Sequence, residues 1–203
     1  MDLSTIFNSV ATQLTAQQTE LNQADSHNHD HGDHMVQIFN LIQSAVSSKS
    51  DQPIAEQLEY ASEVVEKEAN NGSGKLYSQG LAKAAQTFSG SELKPDNLTL
   101  LVKSLLNVEE TPKEQGKPNL LGSVISGLKN KNKTAENNQT IGIDELLQAG
   151  MSFVQTKQQG GSVMDALMGA LTASSPLGQS EHRTMSGAAV ASTIMGFAQT
   201  GNN

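Results

Sequence analysis

Apolar side chains recur every three or four residues through most of this 203-residue chain. This spacing puts them on one face of an α-helix, and no long stretch shows the period-two alternation of a half-buried β-strand. The first apolar face is formed by Leu3, Ile6, Phe7, Val10, Leu14 and Leu21. The pattern predicts an all-α fold, an antiparallel barrel or bundle of roughly seven or eight helices joined by short loops.

Composition supports this fold class and limits the functions of the chain. With no Trp, two Tyr and five Phe, it has few of the aromatic residues that fill β-sandwich cores. Its length suits a single domain, which we expect to span residues 1–203. The net charge of −8 argues against nucleic acid and anionic membranes as partners. Because the chain has no cysteine, no leader pattern and no apolar run of about 20 residues, we expect a cytoplasmic protein.

Turn and cap residues divide the chain into predicted elements. Helices are expected at 3–23, about 33–46, 53–70, through Leu81 to Phe88, and at 98–108, 141–154, 163–171 and 186–197. The segment at about 109–139 contains two prolines and a run of Lys and Asn. We expect this segment to be flexible.

The densest group of chemically active side chains precedes the second predicted helix. Four of the five histidines fall within positions 27–34, interleaved with Asp30 and Asp33 and preceded by Asp25. Gly32 is expected to provide the backbone freedom of a tight turn, and Asp33 to cap the helix that follows. Imidazole and carboxylate groups at a helix start indicate a cation site beside a helix end that favours anions.

Two further polar stretches also precede predicted helices. Gly72, Ser73 and Gly74 open one of them, where glycines allow backbone amides to approach a phosphate. His182 and Arg183 lie in the other, a polar loop in which the guanidinium suits an anion. Because each stretch leads into a helix N-terminus, we expect the segments 25–34, 71–75 and 177–184 to converge at one end of the bundle.

Taken in order, these stretches resemble motifs of the nucleotide-binding L-subunit family of dihydroxyacetone kinases, the DhaL-like domains. Asn28-His29-Asp30-His31-Gly32 is similar to the family's Asp-Gly-Asp-His-Gly loop, and residues 71–77 resemble its Gly-x-Ser-Gly before Leu-Tyr. Near the C-terminus, Leu177-Gly178, His182 and Ser186-Gly187-Ala188 resemble the family's Tyr-Leu-Gly, polar loop and Pro-Gly-Ala. The resemblance spans most of the chain through short motifs.

The resemblance implies an antiparallel helical barrel that holds Mg²⁺ and the phosphates of ADP or ATP at one end. It implies a kinase domain, a phosphotransferase acting on a small hydroxy or keto substrate held by a partner subunit. The implied metal ligands are Asp25, Asp30 and Asp33, of which we expect Asp30 to be the most important. The implied nucleotide contacts are His31, Gly32, Gly72, Ser73, Gly74, His182 and Arg183.

The first loop departs from the family pattern in its metal ligands. Asn28 is an amide where the family has a carboxylate, and Asp33, one residue beyond Gly32, is the candidate replacement. The missing carboxylate and the additional imidazoles weaken the argument for Mg²⁺ and make a transition metal such as Zn²⁺ the alternative cation. The alternative function is therefore a non-catalytic metal-binding or regulatory helical module with a remodelled His-rich loop.

Overall fold

The computed structural model describes residues 1–107 and 180–200, with side chains as far as residue 198. These residues form six helices: α1 (Leu3–Ala24), α2 (His31–Ser48), α3 (Ile54–Glu68), α4 (Gly72–Thr87), α5 (Leu98–Leu105) and α6 (Glu181–Thr200). A 3-10 turn at Pro95–Asn97 leads into α5. No β-strand occurs within the described ranges, so the all-α prediction is confirmed for them. The segment expected to be flexible at 109–139, and the helices expected at 141–154 and 163–171, lie outside the described residues.

Local sequence explains most of the helix boundaries. Asp2 caps α1 by accepting hydrogen bonds from the N–H groups of Ser4 and Thr5, each 3.1 Å long. Pro53 stands just before α3 and not at its first helical position. The fifth helix ends at Leu105, earlier than predicted, and Asn107 follows it with a φ of 53°. A residue in this left-handed region is a common way for a helix to end.

Three helices, α2, α4 and α6, begin earlier than the sequence predicts, and the changes at α2 and α6 alter the site most. The second helix begins at His31, so Asp33 lies in its first turn and is not the N-cap. The last helix begins at Glu181 rather than at Ser186. His182 and Arg183 therefore lie in a helix and not in a loop.

The six helices pack in a closed ring. Each of these helices contacts the next described one, from α1 to α2 and onward to α5 and α6, and α6 returns to pack on α1. The apolar face predicted for α1 is wholly buried. This arrangement brings the N-terminal ends of α2, α4 and α6 into one neighbourhood.

Three aromatic rings connect α1, α2 and α4 inside the ring of helices. Phe7 and Phe39 lie with ring centroids 6.3 Å apart, and Phe39 meets Tyr77 edge-on at 5.0 Å. Burial raises the pKa of the Tyr77 hydroxyl well above its usual value, and this hydroxyl has no hydrogen-bond partner among the described residues.

In the described part of the chain, no helix combines the length and apolar character needed to cross a membrane.

Candidate functional site

Three segments that are far apart in sequence line one cavity of about 490 Å³. They are the connection between α1 and α2, the start of α4 and the start of α6. The lining includes Asp25, His27, Asp30, His31, His34, Asn71, Gly72, Ser73, Ser180, His182 and Arg183. The convergence of the three segments that the sequence predicted is therefore found for their described residues. Gly32, Asp33 and Gly74, which the resemblance implied as site residues, do not line this cavity.

The connection between α1 and α2 is held by Asn22, in the last turns of α1. Its Oδ1 accepts hydrogen bonds from the N–H groups of Gly32 at 2.6 Å and Asp33 at 3.3 Å. Its carbonyl oxygen lies 3.2 Å from His29 Nδ1 and accepts from the N–H of Asp25, also at 3.2 Å. A side chain of α1 thus caps the N-terminus of α2. Asp30, which occupies the N-cap position, makes no capping hydrogen bond through its side chain.

Gly32 and Asp33 face α1 rather than the cavity. A Cβ at Gly32 would overlap the carbonyl oxygen of Gln18, so the glycine permits close packing of two helices. The left-handed backbone of this connection is at His29, with a φ of 56°. Asp33 Oδ1 accepts from Gln18 at 2.6 Å and from Asn22 at 3.1 Å, which lowers the pKa of this exposed carboxyl. The expected turn at Gly32 and cap at Asp33 are corrected accordingly.

Asp25 is the most buried acid of the cavity, with an exposed fraction of 4 %. Its Oδ1 accepts from the N–H of His27 at 3.1 Å, and His182 Nδ1 lies 3.8 Å from the same oxygen. Burial alone would raise the pKa of this carboxyl, but the His27 bond and the nearby His182 outweigh it and hold the pKa below its usual value. Asp25 is therefore a buried carboxylate that is charged at neutral pH.

Asp30 lines the same cavity and is more accessible than Asp25. Its Oδ1 lies 3.2 Å from His34 Nδ1, one helical turn later, and both side chains are about one-third exposed, at 37 % and 34 %. His27 and His34 also line the cavity. The structure thus brings together two of the three predicted metal ligands, Asp25 and Asp30, and leaves Asp33 outside.

The second segment begins with a conventional helix cap. Asn71 Oδ1 accepts from the N–H of Gly74 at 2.8 Å, so the stretch expected to be a loop is the first turn of α4. Ser73 is only 5 % exposed and lines the cavity, and its hydroxyl makes no hydrogen bond to another described residue. Gly74 is packed against Ala69, whose carbonyl oxygen a Cβ would overlap. Ser73 and Gly72 therefore face the cavity, whereas Gly74 serves helix packing.

The third segment places a histidine and an arginine at the start of α6. His182 Nε2 lies 3.1 Å from Ser180 Oγ. Arg183 Nη2 lies 3.1 Å from the position that a Cβ on Gly72 would occupy, so the guanidinium reaches across to the first residue of α4. Among the described residues, no carboxylate lies within ion-pair distance of this guanidinium.

His31 is the first residue of α2, and its side chain faces α6 and is 4 % exposed. Its Nε2 is 2.9 Å from the hydroxyl of Ser186, and its ring contacts that of His182 at a centroid distance of 4.5 Å. The pKa of His31 is lowered to about 4, mainly because the imidazole is buried and to a smaller extent because His182 lies beside it. The imidazole is therefore neutral at pH 7, and one of its nitrogens is already bonded within the protein.

Four polar residues that hold this site were not among the predicted site residues, although three of them lie in the predicted segments or motifs: Asn22, Asn71, Ser180 and Ser186. Asn71 and Ser180 had a local signal, because Asn and Ser directly before a helix are preferred N-caps. Asn22 and Ser186 had none, because each bonds to a residue of another helix or across the bundle.

The described residues contain no group of three or more His, Asp or Glu side chains arranged to hold a metal ion. Comparisons with protein-family profiles, with curated proteins and with solved structures find no match to this chain.

Proposed function

We propose that this chain is a nucleotide-binding domain of the dihydroxyacetone-kinase L-subunit type, which holds the phosphates of ADP or ATP together with Mg²⁺. In this proposal the fold is the antiparallel helical barrel of that family. The domain works in the cytoplasm and transfers a phosphoryl group to a small hydroxy or keto substrate held by a partner subunit. The observation that carries the proposal is the position of Arg183.

Arg183 is the only arginine in the chain, and its guanidinium lies in the cavity without a carboxylate at ion-pair distance among the described residues. Its guanidinium is close to Gly72, the first residue of α4, and belongs to the first turn of α6. Helix N-termini carry partial positive charge, so a guanidinium beside two of them adds to the positive potential there and favours an anion. A phosphate is a suitable anion, because the guanidinium fork matches its oxygens.

The backbone further supports a phosphate between α4 and α6. The first N–H groups of a helix have no intrahelical partner and bind anions. In α2, two of these groups are already bonded to Asn22, so this helix has less to offer an anion. The starts of α4 and α6 remain, and the buried Ser73 hydroxyl adds a donor beside them. The cavity volume of about 490 Å³ lies within the usual range of small-molecule sites.

The acids of the cavity fit a magnesium ion that is shared with phosphate. Mg²⁺ in nucleotide sites is commonly held by one or two carboxylates together with phosphate oxygens and water. Asp25 and Asp30 are two such carboxylates in the cavity. When bound, Mg²⁺ neutralises the phosphate charge that develops during phosphoryl transfer. Glu181 also lines the cavity but is exposed, so Asp25 and Asp30 are the candidate ligands, and the cation and the nucleotide are expected to bind together.

Thermal shift measurements test this proposal directly. ADP with Mg²⁺ at about a hundredfold excess over its dissociation constant should stabilise the fold by about 2.7 kcal/mol, whereas Mg²⁺ alone should give a much smaller shift. Arg183→Gln should weaken binding of ADP with Mg²⁺ by about tenfold or more, since it removes a charged hydrogen bond. Lys75→Ala is the matched control. Lys75 is an exposed cation in the first turn of α4, close in sequence to Gly72, but it does not line the cavity. No shift with ADP and Mg²⁺ would refute the proposal.

One observation favours a second candidate function, a metal-binding regulatory module. His34 and Asp30 are 3.2 Å apart in the cavity, and His27 lines it as well. Imidazole and carboxylate together suit Zn²⁺ if the exposed loop rearranges to bring in a third ligand. Stabilisation by Zn²⁺ alone, abolished in Asp30→Ala and unaffected by ADP, would favour this candidate over the kinase-type domain.

A further inference from the structure

A buried hydrogen bond connects α2 to α6 at the wall of the cavity, which His31 itself lines. His31 Nε2 lies 2.9 Å from Ser186 Oγ, and the two residues are 4 % and 0 % exposed. They are separated by 155 positions in the chain. This bond therefore fixes where the first turns of α6 lie relative to the start of α2.

The direction of this bond follows from the second contact of the serine. Ser186 Oγ also lies 3.1 Å from the carbonyl oxygen of Arg183, which can only accept a hydrogen bond. A serine hydroxyl has one hydrogen, so it donates to Arg183 and accepts from His31. His31 consequently carries its proton on Nε2, and the donor chain runs from the imidazole through the hydroxyl to the backbone of Arg183.

We propose that His31 and Ser186 are positioning residues for Arg183, holding the start of α6 so that the guanidinium lies beside Gly72 before any ligand arrives. His31 also contacts the next residue of that turn, because its ring packs on the ring of His182. Two consecutive residues of the first turn of α6 are thus held from α2. His31 also lines the cavity, so this positioning role adds to the nucleotide contact that the resemblance implied for it.

Such positioning matters because an arginine side chain is long and loses much conformational freedom when it is fixed. A guanidinium that is already ordered binds an anion more tightly than one that must be ordered on binding. The repulsion from the two helix N-termini makes an external constraint more necessary, since an unrestrained guanidinium would turn toward solvent.

The test uses the fact that the chain has a single arginine. The Nε–Hε group of Arg183 gives one arginine side-chain signal in ¹⁵N NMR spectra, and its heteronuclear NOE reports fast motion. Ser186→Ala removes the hydroxyl that connects His31 to Arg183. Ser192→Ala is the matched control, because Ser192 Oγ likewise donates to a carbonyl three residues earlier in α6, that of Ala189, but is exposed.

In the ligand-free protein, the Arg183 signal should be rigid in the natural sequence and in Ser192→Ala and mobile in Ser186→Ala. His31→Gln should retain partial rigidity, since an amide N–H replaces the imidazole donor. An Arg183 signal that is equally rigid in folded Ser186→Ala would overturn the proposal. Where Ser186→Ala does not fold, Ser186→Cys, which keeps the shape but weakens both hydrogen bonds, gives the same comparison.

A second measurement rests on the proposed function and uses ADP with Mg²⁺ as the probe. Ser186→Ala should weaken binding about three- to tenfold in the natural background and less than about twofold in an Arg183→Gln background. Equal losses in the two backgrounds would contradict action through Arg183. If the natural protein binds no ADP with Mg²⁺, the proposed function fails, while the NMR comparison still decides the positioning role.

Discussion

Replacing Gly32 by alanine should separate α1 from α2 and loosen the connection that carries Asp25 and Asp30. Gly32 lies in the first turn of α2, and a Cβ there would overlap the Gln18 carbonyl oxygen and lie 2.8 Å from Asn22 Oδ1. The Gln18 carbonyl belongs to the backbone of α1 and cannot move unless the helix moves. The new methyl group must therefore push the helices apart.

The expected loss has two parts. Overpacking of a close helix contact costs about 1–3 kcal/mol. The separation also strains the bonds from Asn22 Oδ1 to the N–H groups of Gly32 and Asp33, each contributing about 1 kcal/mol. The better helix propensity of alanine offsets about 1 kcal/mol of this. The free energy of unfolding should therefore fall by roughly 2–4 kcal/mol in total.

Urea unfolding followed by far-UV circular dichroism measures this loss, and Gly196→Ala provides the matched control. Gly196 also lies within a helix, but a Cβ there would meet no described atom within 4 Å apart from the backbone of its own helix. The same substitution should therefore stabilise the protein by about 0.5–1 kcal/mol at this position. If Gly32→Ala and Gly196→Ala change the stability by the same amount, the packing argument for Gly32 is wrong.

Three further predictions concern buried or bridging polar groups. The pKa of His31 is lowered from 6.5 to about 4 in the folded state, so only the unfolded state takes up its proton between those values. In the absence of Mg²⁺, stability should therefore fall as pH drops from 6.5 towards 4, by up to about 3 kcal/mol, and this component should vanish in His31→Gln. If the difference in urea midpoint between the natural protein and His31→Gln does not vary with pH, this prediction is wrong. Tyr77→Phe removes a buried hydroxyl that has no partner among the described residues, so calorimetry should show a stability equal to or about 1 kcal/mol above that of the natural sequence. Asn22→Ala should lower the free energy of unfolding by roughly 1–3 kcal/mol, whereas the exposed neighbouring change Gln23→Ala should leave it within about 0.5 kcal/mol.

Local patterns predicted the helices because their causes are local. The spacing of apolar residues fixes which face of a helix is buried. The six apolar residues predicted for the inner face of α1, between Leu3 and Leu21, are all buried. The three polar segments at the starts of α2, α4 and α6 were also predicted correctly, because their Asp, His, Ser, Gly and Arg residues are visible in the sequence. What it could not predict was the start of α2, because its cap, Asn22, comes from another helix.

The sequence by itself determined the all-α class of the described residues and the three polar segments that line the cavity. Only the tertiary structure decided what each residue of those segments does. Gly32 and Asp33 pack on α1, and Gly74 packs on Ala69. His31 is buried against Ser186. The physical reason is that helix periodicity depends on near neighbours, whereas burial, close approach and cross-helix hydrogen bonds depend on residues that only packing brings together.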